Sequence, residues 1–456
     1  MSLSRRQILS GASALGSGIV FTGAIGQLFA SSAVAAQTHN SGGYGPLLSD
    51  PHGILDLPRG FSYRVLSREG DSLRSGEGLV PSNFDGMYAF RGVGANARGV
   101  HLVRNHENYA DGRVPVPLVK GLTYDPMGKG GCTTLKISAS GAVRSEQVAL
   151  AGTAANCAGG QTPWNTWLTC EETEDRAGTN GYTKDHGFIF EVDPYDPGRT
   201  DVVPITAMGR FQHEAVAVDP ATGVVYETED AFEPYGLFYR FLPKNPLGGR
   251  GSLRAGGKLQ AMRVPGVEDL CLVQETGAVF DGVEWVEVPD PVARETSTRM
   301  QGYGTRGITR APKLEGCYWG NGRVYFVSSF ARKDWGAAAD HFGQVWSYDP
   351  VRRRLKLEVV FGPSTDIQLP GESPDNIALS PHGGLMVCED GEGGQHVFGI
   401  DRGGRVYPMA RNAQNIGTSE EPEWGEVAGV TFAPDGRTMY INCYTPGTTM
   451  AITGPW

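Results

Sequence analysis

Short, largely apolar strand-like stretches that end in polar groups recur six times along the chain, and each is reached through a turn. The stretches cover residues 101–107, 166–172, 224–230, 323–329, 385–391 and 438–444. Each is about a strand long, rich in Val, Ile, Tyr, Phe and Trp, and closes on polar groups, which is the composition of a half-buried β-strand. Turn signals precede them: Asp219-Pro-Ala-Thr-Gly223, Gly320-Asn-Gly322, Ser380-Pro-His-Gly-Gly384 and Pro434-Asp-Gly436. Several are followed by a second strand-like echo, among them 188–194, 345–350 and 397–401. A unit repeating at intervals of roughly 50 to 100 residues, longer than a minimal four-stranded blade, predicts an all-β, six-bladed β-propeller with loop and lid insertions.

The segment upstream of each unit carries the chemistry. In order these read Asn83-Phe-Asp85, Asn156-Cys-Ala, Gln212-His213-Glu214, Lys313-Leu-Glu315, Pro374-Asp375-Asn376 and Glu426-Val-Ala, with an acid or amide at each. The innermost strand of every propeller blade starts at one end of the central channel, so these residues would converge as a ring of oxygen ligands suited to hard cations. A second concentration of acid lies in Thr166-Trp-Leu-Thr-Cys170-Glu171-Glu172-Thr-Glu-Asp175. Buried carboxylates this close repel unless metal or protons neutralise them. Alternation along a strand sends Cys170 and Glu172 to one face and Glu171 to the other.

Composition supports the pattern and narrows the partners. With 65 Gly and 29 Pro in 456 residues, turns are abundant and helix-period runs few. A net charge of −10, with no basic stripe interleaved with aromatics, argues against nucleic acid as a partner. The N-terminus runs Ser4-Arg5-Arg6-Gln7-Ile8-Leu9 through a Gly/Ala-rich apolar stretch to Ala33-Val34-Ala35. This pattern predicts a twin-arginine export signal over residues 1–35, a linker over 36–50 and a single propeller over 51–456, placed in the periplasm or outside the cell. No later segment is apolar and long enough to span a bilayer stably. Seven cysteines, an odd number, leave at least one that cannot pair within the chain, and a thiolate ligand is one use for it. No Gly-rich phosphate loop and no Gly-x-Ser-x-Gly elbow is present.

Taken together, the twin-arginine leader, Phe84-Asp85-Gly86-Met87, Asn105-His106-Glu107-Asn108, Trp167-Leu-Thr-Cys170-Glu171-Glu172, Arg210-Phe-Gln-His213-Glu214, Lys313-Leu-Glu315-Gly316 and Pro374-Asp375-Asn376 resemble the PhoX-type alkaline phosphatases. The resemblance implies a monomeric six-bladed propeller that hydrolyses phosphate monoesters, with two oxo-bridged Fe3+ ions and Ca2+ ions in its channel. It also implies folding before passage through the twin-arginine export machinery. By resemblance Cys170 is the iron-binding thiol, Glu171 and Glu172 lie in the same metal segment, and Glu214, Glu315 and Asp375 are channel ligands. Asp85, Glu107 and Glu172 resemble calcium-side ligands, and Glu315 and Lys313 stand at the catalytic end. Longer members carry an arginine where this chain has Lys313, so a phosphate contact there would be a point charge without the bidentate fork. Residues 244–309 read as outer strands plus a lid, with Arg294, Arg299, Arg306 and Arg310 late in it. Two other readings stay open on the residues alone: a calcium-dependent propeller lactonase or esterase, and a non-enzymatic periplasmic scaffold.

Overall fold

The computed structural model describes residues 43–456 except 77, 233–234, 305–306 and 363–370. The expected export signal and Arg306 lie outside the described residues. Among those residues there is no α-helix, only short 3-10 turns and strands, and no helix is long and apolar enough to cross a membrane. The strands form six antiparallel sheets arranged as the blades of a β-propeller.

Blade 1 comprises Phe84–Arg91, Val100–His106, Gly130–Ile137 and Val143–Thr153, and blade 2 has Asn156–Gln161, Trp167–Glu171 and Ile189–Val192. Blade 3 begins with His213–Val218, Val225–Glu229, Gly236–Pro243 and Gly257–Arg263 and adds Glu284–Glu287 at its edge. Leu314–Gly320, Arg323–Ser328, Gln344–Asp349 and Arg354–Val360 make blade 4, with Val279–Asp281 at its outer edge. Residues 244–309 contribute outer strands to blades 3 and 4.

Blade 5 is Pro374–Leu379, Leu385–Glu389, His396–Ile400 and Val406–Asn412, extended by Leu55–Pro58 and Leu47–Leu48 from the N-terminal side. The propeller thus takes in the last part of the expected 36–50 linker. Blade 6 joins both ends of the chain: Val427–Phe432, Thr438–Cys443 and Thr448–Thr453 are completed by Ser62–Arg68. The innermost strand of blade 6 packs against that of blade 1, closing the ring and removing the exposed inner edge that an open sheet would leave.

Each seam between neighbouring blades holds its own apolar wedge. Phe90, Val103, Trp167 and Phe190 fill the seam of blades 1 and 2, while Leu168, Ile189, Val216 and Tyr239 fill the next. Phe238, Phe326 and Trp346 occupy the seam of blades 3 and 4. Strand residues facing both ways are buried between blades, so the second strands of blades 1, 2, 3 and 5 are buried along their length and not on one face only. At the closing seam Arg104 is fully buried, bonded to Glu146, Ser67, Thr133 and Thr449, and its guanidinium lies 3.6 Å from the centre of the Phe84 ring. One ion pair thereby fastens blade 1 to strands from both chain ends. Removing either charge would leave the other buried and uncompensated, at a cost of about 3–5 kcal/mol.

A candidate metal centre at the channel mouth

All six innermost strands break register with their neighbours near their starts: between Phe84 and Met87, Asn156 and Gly159, His213 and Val216, Leu314 and Cys317, Pro374 and Ile377, and Ala428 and Thr431. Such β-bulges re-aim a side chain out of the ladder. In five blades the first residue of the bulge is a ligand type, namely Asp85, Cys157, Glu214, Glu315 and Asp375. Gly or Ala follows four of them, and the strands approach so closely there that a Cβ on Gly86 would stand 2.6 Å from the Cα of Ala158, and one on Gly316 2.6 Å from the carbonyl of Asp375. Glycine is required by proximity of backbone, not by a turn.

A backbone bond repeated in every blade builds a second ring above the first. Glu107, Glu172, Asp230, Ser329, Asp390 and Tyr444, just past the ends of the second strands, donate their N–H groups to the carbonyls of Asn83, Ala155, Gln212, Lys313, Ser373 and Glu426. Asn83, Ala155, Lys313 and Ser373 all have positive φ, between 42° and 55°, a costly conformation for a side-chain-bearing residue. It recurs at the same position in four blades and turns the chain into the channel. The six strand ends read from sequence are thus the upper ring, and the six upstream segments the lower.

Two buried groups of donors result. Cys157, Glu172 and Glu214 bring ligand atoms within 4.8 Å of one another, and so do Glu214, Glu315 and Asp375. Glu214 belongs to both. Burial, then Glu214, Glu172 and Asp85, push the Cys157 thiol well above its ordinary range; a cation bound beside it would reverse that balance and favour the thiolate. Five adjacent metal-ligand side chains, buried and four of them acidic, fit two cations sharing one carboxylate. Buried amides fix the scaffold: Asn105 donates to the carbonyls of Cys157 and Ala158, Asn442 to that of Asp85, and the Asn376 carbonyl accepts from the Gly429 N–H.

The structure brings together Glu172, Glu214, Glu315 and Asp375, with Asp85 buried beside them and Glu107 linked to Glu172 through the Tyr109 hydroxyl at 2.9 and 3.0 Å. It does not bring Cys170 or Glu171 to them. Cys170 lies on the second strand of blade 2, one strand further from the axis, in an apolar wedge with Leu168, Ile189 and Phe211. The thiol among the carboxylates is Cys157, on the innermost strand. Glu171 is saturated elsewhere: its oxygens accept from the N–H groups of Ala154, Gly187 and Phe188, and from His186 at 2.6 Å. Glu172 sits on the thiol side of the cluster. A signal in the sequence that could have found it is the Gly or Ala after four of the innermost-strand ligands, which aligns Cys157-Ala158 with Asp85-Gly86, Glu214-Ala215 and Glu315-Gly316.

Lys313 is buried with its ammonium on the Glu315 carboxylate, 3.6 Å from Asp230 and 4.0 Å from Asp390. Its left-handed backbone, with φ of 42°, delivers the side chain there. Of the late arginines, Arg299 is clamped by Glu174 at 2.8 Å and Glu229 at 3.1 Å, Arg310 bonds the carbonyls of Tyr235 and Arg299, and Arg294 pairs with Asp290 on the surface. All seven cysteines are buried and unpaired. Above the rings opens a cleft of about 300 Å³ lined by Glu107, Tyr109, Asp390, Trp424, Glu426 and Tyr444. Below them the channel narrows to about 30 Å³ between Gly86, Ala158, Ala215, Gly316 and Gly429.

Residues 42–447 match the family model described as alkaline phosphatase PhoX. Among solved structures, Pseudomonas fluorescens PhoX in complex with vanadate, a transition state analogue, is 18% identical, with a TM-score of 0.63 over 90% of this chain and 97% of that one. A gluconolactonase, XC5397 from Xanthomonas campestris, is 12% identical with a TM-score of 0.42 over 91% and 99%. No curated protein sequence matches the chain. The match over most of the chain settles kinship: the protein belongs to the PhoX family of metal-dependent alkaline phosphatases, on a six-bladed propeller.

Proposed function

We propose that this member of the PhoX family is an exported phosphomonoesterase whose cation cluster is held by Cys157, Glu172, Glu214, Glu315 and Asp375, with Asp85 and Glu107 beside it. The observation that carries this reading is the Glu214 carboxylate, buried and common to two donor groups. Iron suits the group that includes a thiol, and calcium suits the all-carboxylate positions. Bound there, the cations would supply the positive charge that stabilises phosphoryl transfer. The resemblance to a phosphatase that binds vanadate supports a phosphoryl group in the same channel.

The chain's own residues orient and bind. Lys313 holds an ammonium at the Glu315 carboxylate, placed to contact a phosphoryl oxygen as a point charge. Asp230 and Asp390 share that ammonium and fix its position. His213, adjoining Glu214, is pushed down to about 3 by burial and stays neutral, adding no charge to the centre. The 300 Å³ cleft gives the alcohol portion an exit, while the narrow channel below bars passage through the ring. An N-terminal twin-arginine signal would carry the folded, loaded protein across the membrane.

The test combines metal analysis with hydrolysis of an aryl phosphate. Iron and calcium in the purified protein, with activity and melting temperature both falling on chelation and returning on reloading, support the proposal. A protein verified free of metal that hydrolyses the ester at full rate overturns it.

A further inference from the structure

The loop leaving the second strand of blade 4 carries an arginine for which the phosphoryl site has no evident use. Lys313 Nζ lies 5.8 Å from the centre of the Phe330 ring, and the Arg332 guanidinium carbon lies 5.5 Å from the same centre. Trp335 offers Arg332 a second aromatic surface at 5.3 Å. Its charged partner is Glu392 at 3.6 Å, whose side chain is 56% exposed, and among the described residues the Arg332 side chain makes no hydrogen bond. Side-chain exposure rises from 0% at Glu315 to 4% at Lys313 and 27% at Arg332. The three mark a path from the cluster outward. Glu392 lies two residues beyond Asp390, which faces Lys313, so the path follows the seam of blades 4 and 5.

We propose that Arg332 determines specificity by binding an anionic group, carboxylate or second phosphate, on the alcohol portion of the phosphomonoester. The inference rests on the phosphatase reading above. A phosphoryl group at the level of Glu315 and Lys313 must leave its alcohol pointing to the mouth, because the channel beneath narrows to about 30 Å³, too small for it. The mouth toward blades 1, 5 and 6 carries Glu107, Asp111, Asp390, Glu423 and Glu426 against one arginine, Arg113, which is paired with Glu69 at 2.9 Å. Like-charge repulsion turns an anionic alcohol away from that side. A guanidinium lying over two aromatic rings, with the half-exposed Glu392 as its ion-pair partner, keeps donors for a planar carboxylate or a phosphate.

The experiment compares kcat/KM for phenyl phosphate and 4-carboxyphenyl phosphate in the metal-loaded wild type, Arg332→Ala and Arg332→Lys. The intrinsic reactivity difference of the two esters cancels when their ratio is compared between proteins. Arg332→Ala should lower the carboxylated-to-plain ratio about tenfold, chiefly through KM, and Arg332→Lys should restore part of it. Melting temperature and metal content read alongside separate this from a folding defect, which would depress both esters alike. An unchanged ratio overturns the inference, as does an equal fall for both esters, which would place the guanidinium on the phosphoryl group. Hydrolysis of neither ester by the wild type would overturn the phosphatase reading and this inference together.

Discussion

Exchanging sulfur for oxygen at Cys157 and at Cys170 in turn separates a ligand from a core residue. In Cys157→Ser the hydroxyl can still donate to the carbonyls of His213 and Glu214, which the thiol reaches at 3.2 and 3.4 Å. The metal-free fold should then lose less than about 1 kcal/mol, the size of one weakened hydrogen bond. A neutral hydroxyl cannot replace a thiolate, so affinity for the thiol-side cation should fall by at least about 10–100-fold, or roughly 1.4–2.7 kcal/mol. In Cys170→Ser a hydroxyl enters the wedge of Leu168, Ile189, Met208 and Phe211, costing about 1–3 kcal/mol whether or not metal is bound. A chain of this size unfolds with an entropy on the order of 0.9 kcal/mol/K, so each effect moves Tm by about 1–3 °C. Differential scanning fluorimetry with and without chelator, beside elemental analysis, distinguishes them. Cys157→Ser should lose bound metal and the chelator-sensitive part of its Tm, and Cys170→Ser should lose only the chelator-insensitive part. Full metal in Cys157→Ser together with depletion in Cys170→Ser would refute the reasoning.

Lys313→Ala should reduce kcat/KM on an aryl phosphate by about 1.5–3 kcal/mol, the worth of a charged hydrogen bond, with metal content retained; Lys313→Arg should recover part of it. Gly316→Ala drives a methyl to 2.6 Å from the Asp375 carbonyl. Elemental analysis and thermal melting should register lost metal and about 1–3 kcal/mol of strain, and a fully loaded, equally stable variant would contradict the close-approach argument. His186 is buried, which lowers its pKa, but Glu171 and then Asp125 outweigh burial and raise it overall. Its contribution to stability is complete below about pH 6.5 and is lost as pH rises through the raised folded value. Thermal melts of His186→Gln from pH 5.5 to 9 should lack that decline, and an identical pH slope in both proteins would exclude the ion pair as its source.

Local information was enough for the blades. Runs rich in β-branched and aromatic residues such as 224–230 and 438–444, reached through Gly and Pro turns, have few alternatives to a strand, and six recurrences predict a closed array. The acids Glu214, Glu315 and Asp375 were legible because the repeat put each at the start of a unit, and the family likeness pointed the same way. Radial order was not legible. Cys157 and Cys170 stand on consecutive strands of one blade, and no local pattern says which strand faces the axis; pairing in three dimensions put Cys157 in the channel and Cys170 in the wedge behind it. Glu171 looks like its neighbour in sequence, yet backbone donors from the distant residues 187 and 188 consume its oxygens. The left-handed turn at Lys313 and the bulges that aim the ligands depend on packing between blades, where backbones approach too closely for a Cβ. Alternation along a strand is a property of the chain itself, whereas distance from the channel axis belongs only to the closed ring.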